Sequence, residues 1–133
     1  MKVGSAQIDI TPPLGIPMGG YWGRSGRATE ISDALYTRAV VFQSGTRCCA
    51  LVSMDLVSIS AETVGQMRTR ISACTDLAQN SVMVCASHTH SGPLTLAYRG
   101  MGSVDEGYVD RVISAVVESV AQAYAVCEEA RLY

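Results

Sequence analysis

The chain has 133 residues, 48% of them hydrophobic and 17% charged, with a formal net charge of -2. This is apolar material enough for the core of one domain or less, and the slightly acidic balance gives no electrostatic ground for binding nucleic acid. No apolar run approaches the roughly 20 residues that span a bilayer, and the opening Met1-Lys2-Val3-Gly4-Ser5 lacks the apolar stretch of a secretory signal, so no transmembrane segment is expected and a cytoplasmic location is favoured. Five cysteines, at 48, 49, 74, 85 and 127, form no C-x-x-C pair and mostly have apolar neighbours. That usage predicts buried, reduced thiols rather than a disulfide frame or a zinc ribbon.

Val3 to Ile10 reads as a first strand, stopped by Thr11-Pro12-Pro13 because proline donates no ladder hydrogen bond and holds its predecessor extended. Asp9, late in that strand, is accounted for by a side-chain bond to nearby amides. From Leu14 to about Ser32 runs a long loop rich in glycine, with Tyr21, Trp22, Arg24 and Arg27 among the glycines. A loop of that length carrying aromatics and arginines reads as functional rather than as a disordered linker.

Thr37 to Phe42 and Cys48 to Met54 are β-rich runs separated by Gln43-Ser44-Gly45-Thr46-Arg47, which predicts an antiparallel hairpin. Ser60 is placed to cap a helix over about Ala61 to Cys74, with Val64, Met67 and Ile71 as its apolar stripe. The strand Val82 to Ser87 follows that helix, so a parallel crossover from the Cys48 strand is expected. Asp55 and His88 then both lie at carboxyl ends of parallel strands, where open α/β sheets gather ligands. Glu106 to Cys127 repeats apolar residues at helical spacing. Glu128 to Tyr133 looks like the start of another strand with nothing after it to pair with. The expected fold is therefore α/β: a mixed sheet with a hairpin and a βαβ crossover, strands near residues 3 to 10, 37 to 43, 47 to 54 and 82 to 88, and helices near 61 to 74 and 106 to 126 packed on it.

The chemistry is concentrated in Ser87-His88-Thr89-His90-Ser91-Gly92-Pro93, which holds both histidines of the chain. On an extended strand, side chains at i and i+2 share a face, so His88 and His90 can address one point in space, and imidazole is a common zinc ligand. The bland reading is a polar strand-to-loop junction. A catalytic zinc commonly takes three protein ligands and a water, so two histidines leave the set unfinished. Asp55 is the local candidate to join them, and pairing with Arg38 or capping the next loop explains it equally well. Other uses of an H-x-H pair fit poorly. The metallo-β-lactamase continuation H-x-H-x-D-H is missing, a second H-x-[ST] repeat is missing, the hairpin does not suit an amidohydrolase barrel, and G-x-S-x-G is absent.

Taken together, these segments resemble the amino-terminal catalytic domain of the neutral/alkaline non-lysosomal ceramidase family. Val3 to Thr11 is similar to its opening strand, Pro17-Met18-Gly19-Gly20-Tyr21 to its Gly-Tyr loop, and Leu35 to Ala39 and Leu51 to Leu56 to its next two segments. Ser87 to Pro93 resembles its hallmark, and the match is nearer to the shorter, bacterial-type members. The resemblance implies a zinc amidase acting on ceramide or a related N-acyl lipid, in which activated water attacks the acyl carbonyl. It implies His88 as a zinc ligand, His90 as a catalytic group beside the metal-bound water, hydrogen-bonding to it or accepting its proton, and Asp55 as a supporting catalytic group. Loop residues Tyr21, Trp22 and Arg24 are candidates to line the substrate site, and a surface loop with ordinary packing contacts explains them equally well. The resemblance also implies a further histidine, a glutamate and a tyrosine from later sequence. Residues 1 to 133 are thus expected to be an incomplete ceramidase-type amino-terminal domain, the front part of a larger catalytic domain, inactive alone and prone to self-association through an uncovered sheet edge. The alternative is a non-catalytic module of the same fold that binds a ligand through the glycine-rich loop.

Overall fold

Side-chain alternation sorts the strands into a buried and an open face. In the computed structural model, which describes residues 1–24 and 26–131, five strands form: β1 Lys2–Asp9, β2 Tyr36–Ser44, β3 Arg47–Met54, β4 Val82–Ala86 and β5 Glu128–Glu129. They make one sheet in the order β4-β3-β2-β1-β5, with β3 and β4 parallel and the other pairs antiparallel. Two helices, α1 Ala61–Cys74 and α2 Glu106–Ala125, cover the face that carries Gly4, Ala39, Val41, Ala50, Val52, Met54 and Val82. The opposite face leaves Leu51 and Met83 about half exposed.

The predicted hairpin and parallel crossover both form, and they set the carboxyl ends of β3 and β4 side by side. Ser60 caps α1 as expected, its hydroxyl accepting the Thr63 N–H at 3.0 Å. The buried stripe of α1 is Thr63, Met67 and Ile71, with Val64 only half-buried. Asp105 caps α2 through the Tyr108 N–H at 2.9 Å, and Tyr108, Val109, Val112, Ile113, Val116, Val120 and Ala123 face the core. Asp9 accepts the Thr11 N–H at 2.6 Å, and hydrogen bonding from the Thr11 side chain and then its backbone lowers the Asp9 carboxyl below the ordinary range.

Three expectations need correction. The fourth strand ends at Ala86 rather than residue 88, because the chain leaves the extended region there and His88 adopts a left-handed backbone, φ +64°. The final strand does have a partner, β1, through Lys2↔Glu129 and Val3↔Glu128. Its predicted last two residues, Leu132 and Tyr133, lie outside the described residues. No cysteine is fully buried: Cys49 and Cys74 are exposed, Cys48 and Cys127 sit at the margins of the core, and Cys85 is half-buried. Strand alternation turns Cys49 to the open face, and Cys74 ends its helix beyond the stripe.

Two contacts tie α2 to β1. At Gly4 the helix rides directly on the strand, so closely that a β-carbon there would overlap the Ala123 carbonyl oxygen. At the other end the buried Tyr108 hydroxyl donates to the Ile10 carbonyl at 2.7 Å. Tyr108→Phe is expected to lose about 1–2 kcal/mol by leaving that carbonyl unpaired. Burial also pushes the Tyr108 phenol far above its ordinary value of 10. A raised folded-state pKa gives stability that is complete below the unfolded value and declines as pH rises beyond it. Urea unfolding at pH ~7 and ~10.5 should therefore show a smaller alkaline loss for the phenylalanine variant than for the parent chain.

Candidate functional site

The site forms where the segment after β3 meets the segment after β4. Ser87 N–H donates to the Met54 carbonyl at 2.9 Å and His88 N–H to the Leu56 carbonyl at 3.0 Å, which continues the parallel pairing past the strand ends. The His88 ring then turns back, and its Nδ1 lies 2.7 Å from the Val57 carbonyl oxygen. A carbonyl only accepts, so Nδ1 carries the proton and a neutral His88 presents a free lone pair at Nε2. A backbone partner on the second nitrogen is how ligating histidines are ordinarily oriented. Sequence reasoning missed Val57, since a backbone acceptor leaves no mark in residue type.

His90 packs beside it, with ring centroids 4.8 Å apart and planes at 76°. The rings meet as expected, though for a different reason. His88 is not on an extended strand, so the i, i+2 rule does not act, and the left-handed turn at His88 folds the segment so that the two imidazoles meet edge-on. The other side of His90 is closed by Tyr21, edge-on with centroids 5.1 Å apart. His88 is exposed and His90 half-buried.

The glycine-rich loop is ordered against this segment. Gly19 N–H donates to the Gly92 carbonyl at 3.0 Å and Leu94 N–H to the Pro17 carbonyl at 3.3 Å. Gly20 has φ +99°, and a β-carbon there would stand 2.7 Å from His90 Cα, so only glycine allows both the backbone angle and the approach. Arg24 donates from one guanidinium nitrogen to the Gly19 carbonyl at 2.7 Å and to the His90 carbonyl at 2.8 Å. A cavity of about 490 Å³ flanks the loop, walled by Met18, Ile31 and Leu35 together with Thr89 and Ser91, and the two imidazoles are not part of its lining.

Asp55 is engaged elsewhere. Its Oδ2 accepts the Tyr36 N–H at 3.0 Å and an Arg38 N–H at 2.8 Å, while its own N–H donates to the Tyr36 carbonyl at 2.9 Å. These bonds seal the end of the β2–β3 ladder, so the carboxylate serves the β2 flank of β3 whereas His88 follows β4 on the other flank. The structure thus brings His88, His90, Tyr21 and Arg24 together and engages the Asp55 carboxylate with Tyr36 and Arg38. Among the described residues no three His, Cys, Asp or Glu side chains gather as a metal site. The histidine pair offers nitrogen donors of the kind zinc takes, and it supplies at most part of a full set.

A mixed α/β layer with two imidazoles in edge contact just after β4, beside the carboxyl end of parallel β3, defines an α/β domain whose candidate site lies where such sheets gather ligands. The chain belongs to the neutral/alkaline non-lysosomal ceramidase family, a family of ceramide-hydrolysing proteins, whose N-terminal model matches residues 1–133. The crystal structure of neutral ceramidase from Pseudomonas aeruginosa is similar to it at 25% sequence identity and TM-score 0.84, over 96% of this chain and 22% of that one. A ceramidase complexed with C2 is similar at 25% identity and TM-score 0.84, over 96% of this chain and 21% of that one. The chain therefore spans about a fifth of the length of these solved relatives. No curated protein gives a significant match. No described helix is long and apolar enough to cross a membrane.

Proposed function

We propose that these residues supply the histidine wall of a zinc-dependent hydrolase centre that cleaves the amide bond of ceramide or a related N-acyl lipid. The reading is carried by one observation: the Val57 carbonyl takes the Nδ1 proton of an exposed His88 and leaves Nε2 free, in a chain of the ceramidase family. His88 Nε2 would hold the metal. When bound, zinc supplies Lewis acidity, polarising an acyl carbonyl and lowering the pKa of its water to about 7.

The remaining roles belong to the chain's own groups. His90, 4.8 Å from His88 between ring centroids, is within reach to accept a hydrogen bond and then a proton from the attacking water. Tyr21, more than half exposed beside His90, is placed to meet an incoming acyl amide. Asp55 supports the site at a distance by fixing the β2–β3 end through Tyr36 and Arg38. The further donors that complete the metal shell come from outside the described residues, so residues 1–133 act as one portion of a larger catalytic domain.

Zinc titration into the chain, followed by long-range proton–nitrogen NMR of the imidazoles, tests the reading. With only two histidines in the sequence each ring can be assigned by single replacement. The expected result is a zinc-dependent shift of His88 Nε2, with Nδ1 still protonated. Zinc that leaves both rings unmoved, or binds through Nδ1, removes the metal from this account.

A further inference from the structure

We propose that Arg24 is the positioning residue for His90: it clamps the glycine-rich loop onto the histidine segment and so fixes where that imidazole points. The inference rests on the role given to His90 above and adds how the ring is held. One guanidinium nitrogen of Arg24 joins the Gly19 carbonyl at 2.7 Å to the His90 carbonyl at 2.8 Å, the latter 66 positions from Arg24 in the sequence. The guanidinium carbon also lies 4.8 Å from the centre of the Tyr21 ring, and Tyr21 in turn meets the His90 ring edge-on at 5.1 Å. A single cation therefore fixes His90 twice, through its backbone and through the ring that walls it.

Arg24 also lines the 490 Å³ cavity, but the guanidinium nitrogen that holds the loop is spent on two backbone carbonyls. Arg24 is half-buried, and among the described residues it forms no ion pair, so its charge is answered by carbonyl dipoles and an aromatic face rather than by a carboxylate. Gly20 lies against His90 Cα without a side chain, which lets the loop close down far enough for Arg24 to reach. Val57 orients His88 independently, from the segment after β3. Arg24 should accordingly govern one imidazole and not the other, a separation that a general loss of structure would not produce.

The test uses the metal-free 133-residue chain, its Arg24→Ala and Arg24→Lys variants, and NMR of the two histidine rings. In Arg24→Ala the cross-relaxation between Tyr21 and His90 ring protons should be lost, while His88 keeps its protonated Nδ1. Arg24→Lys, a cation with more than one donor but no flat face, should restore part of it. Tyr21–His90 contacts that persist in Arg24→Ala, or a change that strikes both imidazoles equally, would overturn the proposal. Should Arg24→Ala fail to fold, Arg24→Gln carries the same readout. Because no zinc is present, failure of the zinc reading leaves this result intact, and normal zinc binding by the parent chain with an undisturbed His90 in the variants would sink this inference alone.

Discussion

His88→Ala is expected to weaken zinc binding by roughly 100-fold or more, because removing a ligand exceeds the 10- to 100-fold effect of disturbing its outer partner. His90→Ala, which removes a ring not assigned to the metal, should change affinity by no more than about tenfold. The contrast between the two variants is the measurement. Isothermal titration of zinc into each chain gives it directly, and equal losses would make both rings ligands and vacate the proton-handling role proposed for His90. The more affected variant truncates an exposed side chain whose bond is to the Val57 carbonyl, so it opens no core cavity, and urea unfolding of each variant checks that the fold is kept.

The largest loss of stability should come from Gly4→Ala. An added β-carbon would overlap the Ala123 carbonyl oxygen and crowd the Ala123 carbonyl carbon and the Cys127 nitrogen, all backbone atoms of the α2 end that cannot rotate aside. Overpacking of that kind costs about 3 kcal/mol, a large share of the roughly 5–15 kcal/mol that holds an ordinary domain folded. Gly65→Ala, on the exposed side of α1 with open space around it, should instead stabilise by up to ~1 kcal/mol through helix propensity. Urea unfolding of both variants checks the pair. An unchanged midpoint for Gly4→Ala would mean that α2 does not rest on β1 at that residue.

Much of this architecture is legible in the chain because local pattern and tertiary burial agree. The alternation in β2 and β3, the Gly45 connection and the 3.6-residue stripe of α2 each predict an element that forms within a residue or two of its expected bounds. What is not legible is non-local or side-chain-free. β5 is legible as the start of a strand at Glu128, but its pairing with the first strand, more than 120 positions away, is not. The histidine segment continues the β4 run without a break in residue type, so its departure into a left-handed turn is invisible until the Leu56 and Val57 carbonyls are in place. Strand geometry predicts that the two rings lie close, and their edge contact arises instead from a turn. For Asp55 both readings were open in the sequence, and the contacts with Tyr36 and Arg38 show where its carboxylate is occupied. Arg24 and Tyr21 stood out as unusual residues in a glycine-rich loop, but their partners, 66 positions away in the case of Arg24, could not be read from spacing.

Position 88 holds the sole described residue other than glycine with a positive φ. Left-handed backbone costs an ordinary L-residue roughly 1–2 kcal/mol, and glycine or asparagine would tolerate it better while bringing no imidazole. Conformational preference and chemistry therefore pull in opposite directions at this one site. A lineage screened only for how well it folds would drift away from histidine here, so the residue's persistence through random diversification is itself a report on whether the chain is being selected for turnover.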